Sequence, residues 1–405
     1  MKKILLLLCA LILAWYLLPR QELISETKTE LDDYIPALML ESAIPGMAIA
    51  KISDGETAYM KTFGYANIET GKAVDENTLF NIASISKPIM GLALLQLVEQ
   101  NKLSLDADVN HYLPFTLDNP HLQGEKITLR HLASHSSGIA DYYDTNSYAI
   151  NQDAPLSLEQ HIKSLLTAEG QHYNQGEHFL KQWPGQGRKY SNLAAGLAGY
   201  LVQASTGQSL ADYSKKQLFP SLGMQDASWL LHDLSLEEIA VPYEVEQCTP
   251  VLKICADTES PRLNHIISEY FNPPAEYKNY QAYPHFGNPQ YPDGGVRASI
   301  KELSRFLVAV LNNQDASGRP LLSGELYEEM FALQLTAKVS DSQRFFWRDN
   351  SMKLTGHMGS DLGVFTAMYF DINSKDGFII LMNRGMDGKA AAAMKKIATK
   401  LMQDV

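Results

Sequence analysis

Positive charge is scarce in this chain. Its 34 lysines and arginines face 46 aspartates and glutamates, a formal charge of −12 at pH 7, and such a surface repels a phosphate backbone instead of neutralising it. A nucleic-acid partner is therefore not expected. Cysteine is scarcer, with three in 405 residues. Glycine and proline stand at 26 and 18, beside 45% hydrophobic and 20% charged residues, which excludes disorder, collagen and coiled coil. There is no internal repeat, no low-complexity tract, no phosphate-binding glycine loop and no cofactor signature, so no cofactor is expected. The length suits two or three domains, or one large mixed body.

Long apolar runs are also absent after the N-terminus. There, Met1-Lys2-Lys3 precedes an apolar stretch from Ile4 to Leu18 and then Pro19-Arg20, the pattern of a secretory signal. Residues 1–22 are read as a signal peptide or N-terminal membrane anchor, and 23–405 as the functional domain. At about 1.5 Å per residue the run is short for a hydrocarbon layer of about 30 Å, which favours a leader over a spanning helix. Ala14 is the best cleavage candidate, with an uncleaved tether as the alternative. Cys9 follows Leu8, where a lipid-attachment site needs a small residue, and this argues against a lipoprotein. Export to the periplasm or cell envelope is expected. In such an oxidising compartment Cys248 and Cys255, in Cys-Thr-Pro-Val-Leu-Lys-Ile-Cys, are candidates for a local disulfide; two unpaired thiols are the alternative. No further ligands accompany them, so no metal site is expected.

The segment from Met47 to Tyr65 reads as two β runs joined at Asp54-Gly55, a pair suited to positive φ. Val364–Asp371 and Phe378–Asn383 form a second such pair around Asn373–Gly377. Helical patterns occupy 22–43, 89–100, 194–204, 300–312 and 389–402. Strands at both ends and a helical middle imply an α+β fold. Residues 241–291, rich in Tyr, Pro and Asn, show little periodicity and read as an irregular segment that either walls a pocket or is held by packed tyrosines.

Ser84-Ile85-Ser86-Lys87 has a serine at the first turn of a helix and a lysine on the same face. Serine is a weak nucleophile until a neighbouring base takes its proton, and a lysine can serve. The spacing alone is common, and Ser25 to Lys28 shares it, but that tetrad directly follows the leader. Ser84 instead precedes the strongly apolar Pro88–Val98, fit for a buried central helix. His131 and His135 are spaced to share a helix face, yet the glutamate of a zinc-protease helix is missing, so they read as structural.

Around this tetrad, Gly64-Tyr65-Ala66-Asn67 and Thr78–Lys87 resemble the serine β-lactamase and penicillin-binding-protein superfamily, in its class C-like branch. Ile127–Gly138 is similar to that branch's second block, and Tyr190-Ser191-Asn192 to its Tyr-x-Asn element. Phe219–Met224 and Asp293-Gly294-Gly295-Val296 resemble later blocks. Gly356-His357-Met358-Gly359-Ser360-Asp361-Leu362-Gly363 resembles the third catalytic element in a histidine form. The blocks keep the family's order from Pro45 to beyond Arg384. Tyr65, Tyr270 and Tyr277 also begin Tyr-x-Asn triplets, and His285–Gly287 and Lys375–Gly377 mimic the third element, but order and setting exclude them.

The resemblance implies a β-lactamase/transpeptidase-like fold: an antiparallel sheet from both chain ends flanked by helices, with a mostly helical subdomain. It implies that Ser84 attacks a carbonyl, that Lys87 and Tyr190 remove and return its proton, and that Asn192 holds the substrate amide. The oxyanion donors would be the backbone N–H groups of Ser84 and Ser360, with His357 and Gly359 beside the substrate. His357, with an ordinary pKa of about 6.5, would supply a pH-dependent partner for a substrate carboxylate, and Arg297 is the cation to consider in its place. The expected function is acyl-serine hydrolysis in the cell envelope, on a D-Ala-type peptide or a carboxylic ester, the substrate being a small molecule or peptide of possible peptidoglycan origin. A class C-like β-lactamase is the alternative enzyme, disfavoured because His357 stands where that group has lysine. A non-catalytic peptidoglycan-binding or regulatory relative is the alternative of another class, disfavoured by the presence of Ser84, Lys87 and Tyr190.

Overall fold

The computed structural model describes residues 30–117, 119–247 and 278–403. The N-terminal leader and the Cys248–Cys255 peptide lie outside the described residues. The chain divides into two compact units, 1–37 and 38–405, and every residue of the candidate site belongs to the second. The first described residues form helix α1 (Glu30–Ser42), within the predicted 22–43.

Seven antiparallel strands build the main sheet. In chain order they are β1 (Gly46–Ser53), β2 (Glu56–Asn67), β3 (Lys72–Ala73), β4 (Arg348–Asp349), β5 (Thr355–Asp361), β6 (Val364–Phe370) and β7 (Gly377–Met382), and across the sheet they run β4-β5-β6-β7-β1-β2-β3. The chain ends meet at its centre, where Ile49 faces Ile380 on one side and Lys61 on the other. Consecutive residues of a strand point to opposite faces, so the unbroken burial of β7 and nearly all of β1 means that both faces are covered. Helices α4 (Ile300–Asn312) and α5 (Gly388–Gln403) pack against these central strands. The predicted turn at Asp54-Gly55 is present, both residues having positive φ, 50° and 75°. Such angles suit glycine and cost other residues energy.

Two helices carry the site. Helix α2 (Ser86–Glu99) is buried on all sides from Ser86 to Leu95, as its apolar composition requires. Helix α3 (Asn192–Thr206) is capped by Ser191, whose Oγ accepts the Ala194 N–H at 2.9 Å, and is buried from Leu193 to Val202. The two pack on one another and share one apolar core with the sheet. The described parts of the 241–291 segment, 241–247 and 278–291, are less irregular than expected. Tyr243–Gln247 pairs antiparallel with Lys278–Ala282, and Phe286–Gly287 with Ala149–Ile150. The alternation Tyr243-Glu-Val-Glu is a strand signal that the surrounding Pro and Asn residues obscure.

Candidate active site

Ser84 lies in the one-turn Ala83–Ile85 segment that feeds α2. Immediately before it, Phe80–Asn81 pairs with Arg297–Ala298, and Ala83 is held at φ 48°, in the left-handed region. A non-glycine residue pays for that conformation unless its surroundings fix it. Asn81 supplies the fixation: its Oδ1 accepts the Ala83 N–H at 2.9 Å, and its Nδ2 donates to Asp361 at 3.2 Å. Asp361 in turn accepts the Tyr143 hydroxyl at 2.8 Å. Asn81 and Asp361 lie inside the motif blocks, but spacing gave no sign of this clamp.

The Lys87 side chain is fully buried. Its Nζ donates to Ser84 Oγ at 3.0 Å, to Asn192 Oδ1 at 2.8 Å and to the Asp293 carbonyl. Three acceptors match the three hydrogens of an ammonium. The Tyr190 hydroxyl donates to Ser84 Oγ at 3.0 Å, and Lys87 Nζ lies 5.0 Å from the centre of its ring. Asn192 opens α3, and its backbone N–H donates to Asp141 at 2.6 Å. The structure thus brings Ser84, Lys87, Tyr190 and Asn192 together. Ser86 is separated from them: it is buried, and its Oγ accepts the Val296 N–H at 3.0 Å. The Asp293–Val296 block therefore wraps the back of the nucleophile turn.

His135, read from sequence as structural, also borders the site. Its ring lies 4.2 Å from that of Tyr190, and its Nδ1 accepts the Ser191 N–H at 3.3 Å. Burial first, and the Lys87 charge second, hold its pKa far below the usual 6.5, so a neutral imidazole packs beside the tyrosine. His131, by contrast, completes a capping box with Thr128 at the start of a short helix, a purely local role.

Strand β5 brings the third element against the nucleophile turn. Gly359 permits this approach, since a Cβ there would stand 2.3 Å from Thr366 Oγ1 and 2.4 Å from the Ile82 carbonyl oxygen. Ser84, Tyr190, Asn192, His357, Gly359 and Ser360 line one cavity of about 340 Å³. The pH-dependent role expected of His357 is corrected. Loss of solvent and then the Lys87 charge push its pKa down to about 3, so it carries no charge near neutrality. Its Nδ1 donates to the Met358 carbonyl at 2.6 Å, which leaves Nε2 as an acceptor. Arg297 does not replace it, because that side chain is buried and donates to the Gly295 and Phe286 carbonyls, each at 2.6 Å. Among the described residues, no group of three or more His, Cys, Asp and Glu is placed to hold a metal ion.

The beta-lactamase family profile matches residues 31–400, and the chain belongs to that family of serine hydrolases. Esterase EstB of Burkholderia gladioli is 32% identical over 233 residues, 55% of this chain and 56% of that protein. Protein flp of Staphylococcus aureus strain MRSA252 is 26% identical over 270 residues, 64% of this chain and 51% of that protein. The chain thus matches about half the length of these curated relatives. The octameric penicillin-binding protein homologue from Pyrococcus abyssi superposes with a TM-score of 0.64 at 23% identity, covering 92% of this chain and 77% of that one, which fixes the fold as β-lactamase/transpeptidase-like.

Proposed function

We propose that this chain is an exported serine hydrolase that cleaves peptide, amide or ester carbonyls through an acyl-Ser84 intermediate. One observation carries the reading: Ser84 Oγ lies 3.0 Å from both Lys87 Nζ and the Tyr190 hydroxyl, at the edge of a cavity large enough for a small substrate. The nucleophile and its candidate proton acceptors are within direct transfer distance. With all three hydrogens of Lys87 directed at acceptors, the ammonium stays in place beside Tyr190; in the reacting state Tyr190 has given up its own proton, and its phenolate takes the Ser84 proton as Oγ bonds to the carbonyl carbon and the carbonyl π pair moves onto oxygen. The same proton then passes to the departing amine or alkoxide. Water adds to the acyl-serine, its proton returns through Tyr190, and Ser84 Oγ leaves as the hydroxyl. The developing oxyanion would be received by the Ser84 and Ser360 N–H groups, while Asn192, fixed by Lys87 and Asp141, faces the substrate.

An ester or peptide carbonyl suits this cavity better than a β-lactam. His357 offers an uncharged acceptor where the resemblance expects a lysine in β-lactamases, and Met358, Phe365, Tyr369 and Met386 give the cavity an apolar wall. The esterase name of the relative at 32% identity points the same way. Export is supported by the basic and apolar pattern of residues 1–20. The test is turnover by residues 23–405 of a chromogenic ester, a chromogenic cephalosporin and a D-Ala-D-Ala peptide, side by side, each repeated with Ser84→Ala. Ester or peptide turnover above cephalosporin turnover, abolished by Ser84→Ala, supports the proposal. Dominant cephalosporin turnover favours the β-lactamase, and no turnover of any substrate favours a non-catalytic relative.

A further inference from the structure

The two N–H groups that would receive the oxyanion stand on separate pieces of chain. Ser84 lies in the Ala83–Ile85 turn, and Ser360 is one residue from the end of β5. Among the described residues no backbone hydrogen bond joins the two pieces: β5 pairs with β4 and β6, and the chain entering the turn pairs with Arg297–Ala298. Gly359 lets them approach but has no side chain with which to hold them in register. Side chains from elsewhere must therefore do so. One is Thr366 on β6, whose Oγ1 donates to the Ile82 carbonyl at 2.9 Å. A second is Asp361.

Asp361 directly follows Ser360 and ends β5. Its Oδ2 accepts Asn81 Nδ2 at 3.2 Å, and Asn81 Oδ1 accepts the N–H of Ala83, the residue before Ser84, at 2.9 Å. Its Oδ1 accepts the Tyr143 hydroxyl and the Leu362 N–H, each at 2.8 Å. Tyr143 is braced in turn by Tyr148, the two rings meeting edge to face with centres 5.5 Å apart. A carboxylate suits this junction because its two oxygens offer about four acceptor sites and no donor, and hydrogen bonds to an ionised acceptor are stronger than those between neutral groups. One side chain thus ties the strand that bears one oxyanion donor to the turn that bears the other.

We propose that Asp361 is a positioning residue for this reaction: through Asn81 on one side and Tyr143 on the other, it holds the Ser84 and Ser360 N–H groups at the spacing that a tetrahedral oxyanion requires. This rests on the reading of Ser84 as the nucleophile. Asp361 acts at one remove, since neither it nor Asn81 nor Tyr143 lines the Ser84 cavity, and both of its oxygens are engaged by donors of the protein. Donors held in place before the reaction stabilise developing charge without first having to reorganise, so loosening the junction should weaken binding of the transition state and spare that of the substrate.

Two measurements test it. The first follows 4-nitrophenyl acetate by stopped flow in wild type, Asp361→Ala, Asn81→Ala and the double variant, giving the acylation rate constant and the substrate Kd separately. Each single variant should slow acylation by roughly 10- to 100-fold and leave Kd within about threefold. Because the two residues form one link, the double variant should be no slower than the worse single variant by more than about threefold. Affinity for phenylboronic acid, whose boron takes up Ser84 Oγ as the serine proton is lost and so becomes tetrahedral and anionic, should fall by the same factor as acylation. Losses confined to Kd, losses that multiply in the double variant, or unchanged boronate affinity overturn the proposal. Should Asp361→Ala fail to fold, Asp361→Asn takes its place: the amide can still accept from Asn81, so its loss should be the smaller. The second measurement needs no turnover. Amide hydrogen exchange of full-length protein, read by mass spectrometry on peptides covering 80–86, should quicken by at least about tenfold in Asp361→Ala. Faster exchange in a protein that cleaves no ester upholds the hold of Asp361 on the turn, and only the nucleophile reading has then failed. Unchanged exchange counts against the junction whatever the kinetics show.

Discussion

Single side chains make two predictions about the chemistry. The Tyr190 hydroxyl is the only phenol on Ser84 Oγ among the described residues, and removing a positioned acid–base group typically slows reaction by about 10²- to 10⁴-fold. Tyr190→Phe should lower kcat on that scale while leaving thermal stability near wild type, and stopped-flow acylation rates together with a melting curve will check this. The second concerns His357. Its pKa is pushed down to about 3 by burial and by Lys87, so it remains neutral at every pH from 6 to 8. Over the same range Arg188, which lines the same cavity and is pushed down by loss of solvent to about 10, remains charged. The kcat/KM ratio of a carboxylate-bearing ester to its methylated form should therefore be flat across pH 6 to 8. A ratio that climbs as pH drops through 6.5 would show His357 taking up a proton there. Ser84, Lys87, Tyr190 and Asn192 were legible in the sequence because each sits in a short block whose spacing reports a local turn. Arg188 lies two residues from Tyr190 yet was missed. It lines the cavity and donates to Gln343 Oε1, a residue that only the fold brings beside it.

At the level of elements, the site depends on how closely β5 approaches the Ala83–Ile85 turn. Gly359 sets that distance, and a methyl group there would meet the Ile82 carbonyl, a backbone atom with little freedom to move, at 2.4 Å. Gly359→Ala should therefore shift β5 away from Ser84, costing about 1–3 kcal/mol of stability as other overpacked sites do. Because misplacement of about 1 Å can cost roughly 100-fold in rate, kcat/KM should fall much more than stability does. Parallel melting and kinetic measurements check this, and a variant with normal kcat/KM would show that β5 does not set the geometry. The strands themselves were legible, since β1, β2, β6 and β7 are β-rich runs bounded by turn residues. The Tyr243–Gln247 pairing was not, because its partner strand Lys278–Ala282 is distant in sequence and a strand of this length is specified as much by that partner as by its own residues. The Asp293 carbonyl on Lys87 was equally hidden, being a backbone contact that no side-chain pattern announces.

For the whole molecule, the buried and half-buried histidines predict sensitivity to acid. His357 and His285 are pushed down to about 3 and about 4, and burial lowers His135 and His161 as well. In the unfolded chain each protonates near 6.5, so below that pH the unfolded state binds more protons and stability falls as pH drops toward 4. Asp293, pushed up to about 6 by burial, acts in the opposite sense and gains stability as pH falls from 6 toward 4. Glu244, raised by burial, acts in the same sense as Asp293, and these two carboxyls offset only part of the effect of the four histidines and of His131, which burial also lowers, at a limiting slope of about 1.4 kcal/mol per pH unit for each group. Tm should fall between pH 6.5 and 4.5, and His285→Asn should flatten the fall; a Tm that holds or rises over that range would contradict this. The chain as a whole is also expected to contain one reactive serine, because only at Ser84 do Lys87 and Tyr190 converge. The most direct measurement is peptide mapping after reaction of the intact protein with a fluorophosphonate probe, which phosphonylates an activated serine with loss of fluoride. The expected result is a single labelled peptide carrying the adduct on Ser84, with no labelling of Ser84→Ala; an adduct on Ser86 or any other serine, or labelling that survives Ser84→Ala, would contradict it.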